Sequence, residues 1–403
     1  MTSPDSGGTL GPEFRSLLSA AFITNIGDGM RLAAMPLLAI SLTDSPLYIS
    51  ALTASQYLPW IVWAPFGGVI VDRADRRRLI LITQAWRALL MLALGLAVLA
   101  DAAAMWQLIV VAFLITAGEI LVDPSVVATV PQVVGADDLD RANGQLNSVE
   151  MATNEFFGKT VGAVIYGFTP WLPFVIDAAT YGGSNVPFSR LPRTERPASP
   201  RERNLRQEIG AGLSWIRHHR FIGPLTGSVA LFHLGTGGAL AMLAILVDRV
   251  LDQPAWVFGA VLALAGLGAA VTSPLAAGMA VRTSRRTVMT VASAGVAIST
   301  IAVAAGESAW HVMALWAVNG AAFGLFHSVG RGFIQRHAPD ELLGRVAIAS
   351  RTISRGAFAV GALAIGTIAE ATSVRTGMLT AGVLHAIGAF LIWLAFRHEP
   401  QPV

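Results

Sequence analysis

Asn25, Asp28 and Arg31 recur at three-residue spacing inside a run that is otherwise largely apolar from Phe14 to Leu42. On a helix that spacing sets them on adjoining parts of one face, where a carboxylate and a guanidinium can hold a proton, a charged solute or each other. Glu119 and Asp123 lie one turn apart in a second apolar run, with Pro124 directly after Asp123. Further along, His233 sits alone among apolar residues, and Asn319, His327 and Arg331 share another such stretch. An ionisable side chain at the centre of a membrane helix costs about 2.5 to 3.5 kcal/mol on insertion scales, so each is a candidate for proton coupling, for the substrate cavity or for a buried pair. Asp28 with Arg31 reads equally as a neutralising pair that fixes one helix against a neighbour. His233 and His327 read equally as hydrogen-bonded core histidines. Tyr57, Trp60, Trp63, Phe232, Phe323 and Phe326 could form an apolar wall, although such residues more often pack or face lipid.

The elements that must position these groups are membrane helices. Of 403 residues, 54% are hydrophobic and 13% charged, and the mean hydropathy is +0.60. A soluble domain could not hide that much apolar surface. Runs long enough for a roughly 30 Å hydrocarbon core, about 20 residues each, recur along the chain. They predict helices near 14–42, 48–71, 78–100, 105–130, 146–168 and 171–190, then near 224–248, 255–281, 286–305, 310–335, 346–370 and 375–397. The stretch from Tyr181 to Pro187, YGGSNVP, is the least helical in character. This gives an all-α membrane protein of twelve transmembrane helices in two pseudo-symmetric six-helix bundles, 14–190 and 224–397. Tails at 1–13 and 398–403 and a connector at 191–223, arginine-rich and with an amphipathic segment around Leu213 to Ile216, are expected in the cytoplasm.

Alternate loops collect Arg73, Arg76, Arg77, Arg78, Arg141, Arg282, Arg285, Arg286, Arg336, Arg345 and Arg397 on the connector side and leave Arg249 and Arg375 on the other. That asymmetry orients both termini to the cytoplasm, in the cytoplasmic (inner) cell membrane. The net charge of +3 then reads as topology rather than as nucleic-acid binding. The halves echo each other: Gln132, Asp137, Asp138 and Leu139 are matched by Gln335, Asp340, Glu341 and Leu342, each 203 residues later. Two repeated halves that rock about a shared site are a transporter arrangement. No cysteine is present, and no phosphate-cradling loop, nucleophile motif or metal-ligand spacing occurs, so the chain reads as neither enzyme nor ATP-driven pump and calls for no cofactor or metal. His218 and His219 fall in the basic connector.

Gly68, three residues, Asp72-Arg73 and then Arg77-Arg78 resemble the loop motif of the major facilitator superfamily, with Asp75 where that family usually has Gly. A partial echo stands at Gly278, Arg282, Arg285 and Arg286. Asn25 to Leu38, and the segment from Asp123-Pro124 through Pro131 to Asn143, are similar to the third drug:proton antiporter group, which is macrolide-efflux-like. Gly158 is followed by Lys159 where antiporters of the superfamily often carry Gly-Pro. The resemblance implies a monomer in which helices one, four, seven and ten line a central cavity, and proton-driven export of an amphiphilic drug or secreted natural product. Proton-coupled uptake, or a transport-inactive scaffold or sensor on the same fold, are the alternatives. The resemblance also implies a latch in which Asp72 meets Arg351 and Arg355 at the start of helix eleven. Its mate, with polarity exchanged, sets Arg282 against Glu150 and Glu155. Otherwise Arg73, Arg77 and Arg78 serve only as orientation signals.

Overall fold

The computed structural model describes residues 10–63, 70–71, 74–193, 205–339 and 342–398, and among them the regular structure is entirely helical. Pro12 opens α1 (Pro12–Leu42), where a missing N–H costs nothing. The second expected span begins with α2 (Pro46–Ser55), capped by the Ser45 hydroxyl, and breaks before α3 (Leu58–Val62), which has Pro59 at its start. Asp75 caps α4 (Arg76–Leu99), and α5 (Met105–Val133) carries Pro124 and Pro131 inside it. The fifth span is composite: α6 (Leu139–Glu150), a wide π-helical turn over Met151–Gly158, and α7 (Lys159–Phe168). It is followed by α8 (Leu172–Phe188) and, in the connector, α9 (Leu205–His218).

The second half repeats the plan. α10 (Ile222–Ile245) widens into a π turn over Leu246–Val250, and α11 (Ala255–Thr272) breaks at Pro274 before α12 (Leu275–Arg282). α13 (Arg285–Ala304) and α16 (Val374–Ala395) both start under serine caps, Ser284 and Ser373, with α14 (Ala309–His337) and α15 (Leu343–Ala371) between them. Eight helices among the described residues are long and apolar enough to cross a bilayer. Described helix also falls at each of the other four expected positions, consistent with twelve spans. α8 continues as helix through Tyr181 to Pro187 because Tyr181 and Ser184 turn inward and are fully buried, so their polar groups face protein and not lipid.

Packing follows a pseudo-two-fold plan. α1 packs on α8 as α10 packs on α16, α4 on α5 and α8 as α13 on α14 and α16. Between the halves, α2 and α3 pack on α15 while α7 packs on α11, which is one contact seen twice with the partners exchanged. Gly29 and Gly158 let α1 and the π turn touch, since a Cβ on Gly158 would stand 2.8 Å from the Ile26 oxygen and from the Gly29 Cα.

The apolar core is unequal end to end. Away from the connector one cluster joins both halves, running from Leu37, Leu38 and Ile49 to Leu243, Val247, Val257 and Ile365. Toward the connector the core separates into one cluster of the second half, around Phe221, Phe326 and Phe333, and one of the first, around Phe14, Ile80 and Phe188. The halves are therefore sealed at the far end and parted at the connector end.

Candidate functional site

Midway along α1, Asp28 and Arg31 point toward α4, α5 and α8. Arg31 donates from Nη2 to Asp28 Oδ1 at 3.1 Å and to Glu119 Oε1 of α5 at 2.8 Å. Arg87 of α4 reaches the same two oxygens, 3.2 Å each, so the two guanidiniums bracket the two carboxylates. Gln84 accepts from Arg87 Nη1 at 2.9 Å and donates to Ser184 at 3.3 Å, while Tyr181 accepts from Arg87 at 2.7 Å and donates to Asp28. The Arg87 guanidinium carbon also lies 4.1 Å from the Tyr181 ring centroid. Behind this layer the fully buried Asp177 stands 3.6 Å from Arg31 Nε, too far for a hydrogen bond, and its Oδ2 and that Nε are both unsatisfied. Three carboxylates thus face two guanidiniums inside the membrane span, an arrangement short of one positive charge.

Access to this cluster is graded. Both arginines are 2% exposed and Asp177 0%, whereas Asp28 is 15% and Glu119 27% exposed. One turn beyond Glu119, Asp123 is exposed although it lies within the span. Tyr57, just before α3, and Trp60 of α3 belong to the first half, and Arg355 of the second half lies over both rings at 5.3 and 5.0 Å. Tyr57 stacks on Phe358 at 3.8 Å between centroids. In the second half, the half-buried His233 and Phe323 lie against the buried Phe232 and Phe326; His233 Nδ1 bonds to the Val229 carbonyl at 2.8 Å, and its ring lies 6.4 Å from Phe323. The charged cluster thus belongs to the first half and the aromatic, histidine-bearing one to the second.

A profile of the family described as "Transmembrane secretion effector" matches residues 10–399. The chain belongs to that family, within the major facilitator superfamily. The enterobactin exporter EntS of Escherichia coli O1:K1 is 24% identical over 83% of this chain and 80% of its own. Macrolide efflux protein A of Streptococcus pyogenes is 22% identical over 47% of this chain and 48% of its own. The crystal structure of nucleoside transporter NupG shares the fold at a TM-score of 0.78, with 14% identity over 96% of this chain and 100% of that one.

In this family member, Asp28, Arg31 and Glu119 come together and the remaining candidates take other places. Asn25 bonds to the Ala21 carbonyl of its own helix at 2.8 Å. Asn319 is buried and ties α14 to α13 through Ser299 (2.9 Å) and Thr300 (3.1 Å). His327 is exposed, its ring 5.8 Å from Phe323, and the Arg331 side chain lies outside the described residues. Of the latch, Gly68, Asp72 and Arg73 lie outside the described residues. Arg77 bonds to the Leu191 carbonyl at 3.3 Å, Arg78 is exposed, and Arg351 approaches Trp60 at 5.9 Å. Glu155 pairs with Lys159 at 2.6 Å, Glu150 is exposed, and Arg282 is exposed with no ion-pair partner among the described residues. In the conformation described here, Glu155 is committed to its own helix.

Arg87, Asp177 and Tyr181 were not among the expected site residues, nor was His385, which is buried, bonds to Thr236 at 3.1 Å and leaves Nδ1 unsatisfied. The seal at the far end was likewise not foreseen. Arg249, at the end of the seventh span, donates to the carbonyls of Ile40 and Thr43 at 2.7 Å and of Asp44 at 2.9 Å, and pairs with the Asp44 carboxylate at 3.0 Å. Glu370, at the end of α15, accepts from the Ser45 hydroxyl at 2.7 Å and the Leu47 N–H at 3.2 Å. A cation thus meets the C-terminal carbonyls of α1 and an anion the N-terminus of α2, each favourable for the helix dipole it faces. Both contacts cross between the halves.

Proposed function

We propose that this transporter exports a hydrophobic or amphiphilic small molecule by alternating access, driven by protons moving the other way. The observation that carries the proposal is the bracketed pair Asp28 and Glu119, which share Arg31 and Arg87 inside the span with one edge open to the cavity. A site with one more carboxylate than guanidinium is relieved by taking up one proton, and Glu119, the most accessible of the three, is where that proton enters. Protonating Glu119 loosens its hold on Arg31 and Arg87, and these belong to α1 and α4, so the proton's arrival changes how α5 is tied to them. The far-end contacts of Arg249 and Glu370 supply the other half of the cycle, because they must open when the cavity turns to the opposite side.

Export, rather than uptake, is favoured by the relatives, whose names describe macrolide efflux and enterobactin export. Phe323 and Tyr57, both partly exposed, suit the apolar body of such a molecule, and the charged cluster its polar end. We place the protein in the cytoplasmic membrane with its connector inside, on the strength of the arginine asymmetry. The test is uptake of amphiphiles into inverted vesicles with an imposed pH gradient: accumulation that collapses with the gradient supports export, and accumulation only in right-side-out vesicles reverses the direction.

A further inference from the structure

On the outer wall of the second half, α13 and α16 run antiparallel and leave a groove of about 290 Å³ lined by Thr290, Ala294, Ala297, Phe390 and Trp393, among others. It faces away from the cavity. Ile298 and Phe390, 68% and 57% exposed, mark it as membrane-facing. Its lining is apolar except at one end, where the Thr290 hydroxyl is buried with no hydrogen-bond partner. Unsatisfied buried hydroxyls are rare in finished structures and call for a partner.

At that same end, toward the connector, Trp393 carries two guanidiniums over its ring, Arg397 at 4.2 Å and Arg286 at 5.8 Å from the centroid. Arg286 is one turn before Thr290 on α13, and Arg397 one turn past Trp393. Neither has an ion-pair partner among the described residues, and no acidic side chain lines the groove. We propose that this groove binds one diacyl anionic phospholipid of the connector-side leaflet, of the phosphatidylglycerol kind. One acyl chain lies along Ala294, Ala297 and Phe390, the ester region lies at the Thr290 end, and the phosphate sits between Arg286 and Arg397. The guanidinium fork matches two phosphate oxygens, and a tryptophan at the polar edge of the hydrocarbon is the setting in which such a headgroup is held. A zwitterionic lipid offers the same chains and phosphate, but its cationic ammonium group is repelled by both arginines.

The test is native mass spectrometry of the full-length protein in neutral detergent, with equal amounts of phosphatidylglycerol and phosphatidylcholine of the same chains. The expected result is one retained phosphatidylglycerol, favoured about tenfold or more, since each arginine contributes about 1 kcal/mol of attraction to net anionic lipid. R286Q/R397Q abolishes the preference, and A294W, which fills the groove and keeps both arginines, abolishes retention. R282Q, which removes an exposed arginine of α12 with no ion-pair partner among the described residues, changes neither. Equal retention of the two lipids by the wild type, a preference that survives R286Q/R397Q, or phosphatidylglycerol still held by A294W would each overturn the site. The last outcome would assign the preference to surface charge alone. Each variant is scored only if it elutes as a monodisperse species, and A294W and R286Q/R397Q alter different elements of the site, so one misfolded variant leaves the other to decide.

Discussion

Arg31 donates to Glu119 at 2.8 Å across 88 residues of sequence, and so joins α1 to α5 at the depth where a membrane protein can least tolerate a lone charge. Removing the cation alone leaves three carboxylates facing one guanidinium. R31M is therefore expected to destabilise the protein by about 3 to 5 kcal/mol, the range found when one partner of a buried pair is deleted. Unfolding in detergent measures this, and a loss under about 1 kcal/mol would mean that the pair is solvated.

Tyr181 touches the cluster twice, as donor to Asp28 and as acceptor from Arg87. Y181F keeps the ring under Arg87 and removes only the hydroxyl, so the expected cost is about 1 to 3 kcal/mol, set by the charged partners left unsatisfied. The readout is the unfolding midpoint of Y181F against wild type, and an unchanged midpoint would show that water replaces the hydroxyl.

The far-end seal makes its own prediction. R249A removes the donor to three carbonyls at the end of α1, and E370Q weakens the contact with the start of α2. Both are expected to shift the protein toward the state open on that side. The native chain has no cysteine, so a single cysteine at Ala241, buried in the seal, reports the shift. Labelling by a membrane-impermeant maleimide from the far side is expected to rise several-fold in R249A, by the population-shift relation for a contact of about 1 to 2 kcal/mol. Unchanged labelling in R249A/E370Q would show that the apolar core alone holds the seal.

His219, in the turn between α9 and α10, accepts the Phe221 and Ile222 N–H groups on its Nδ1 at 3.2 and 3.0 Å. Burial first, and the neighbouring His337 second, hold its ring below the usual histidine range. Because the folded state binds this proton less readily than the unfolded one, stability is full above the ordinary histidine range and falls as the pH drops through it toward the lower folded value. Unfolding midpoints measured from pH 8 to pH 5 are expected to fall in the wild type and to fall less in H219N, whose side-chain oxygen can cap the same N–H groups without titrating. Parallel curves for the two proteins would remove His219 from the acid response.

Much of this was legible in the sequence, and what was missed has a physical pattern. The spans showed because hydrocarbon thickness demands long apolar runs, and the halves because their loop charges repeat. Asp28, Arg31 and Glu119 showed because charge is costly in such runs. Arg87 and Asp177 are equally costly, one in QAWRALL and the other in VIDAAT, and confining attention to helices one, four, seven and ten passes over both. Helices three and six reach the site because α4 and α8 back onto α1 and α5, and packing of that kind carries no period in a single sequence. Tyr181 to Pro187 looks unhelical for the reason that it is useful: Tyr181 and Ser184 bond to Asp28, Arg87 and Gln84, residues far away in the chain. Arg249 reads in the sequence only as part of the loop-charge asymmetry, and Glu370 draws no attention, because a side chain that caps another helix's end has no local signature.

The most direct measurement is proton movement by the purified protein in liposomes that enclose a pH-sensitive dye, with amphiphiles added against an imposed gradient. Asp28 and Glu119 as the coupling pair require that an effective amphiphile drive proton release in the wild type, and that D28N and E119Q each abolish it while remaining folded and still binding the amphiphile. Substrate-driven proton flux that persists undiminished in D28N/E119Q would contradict that claim.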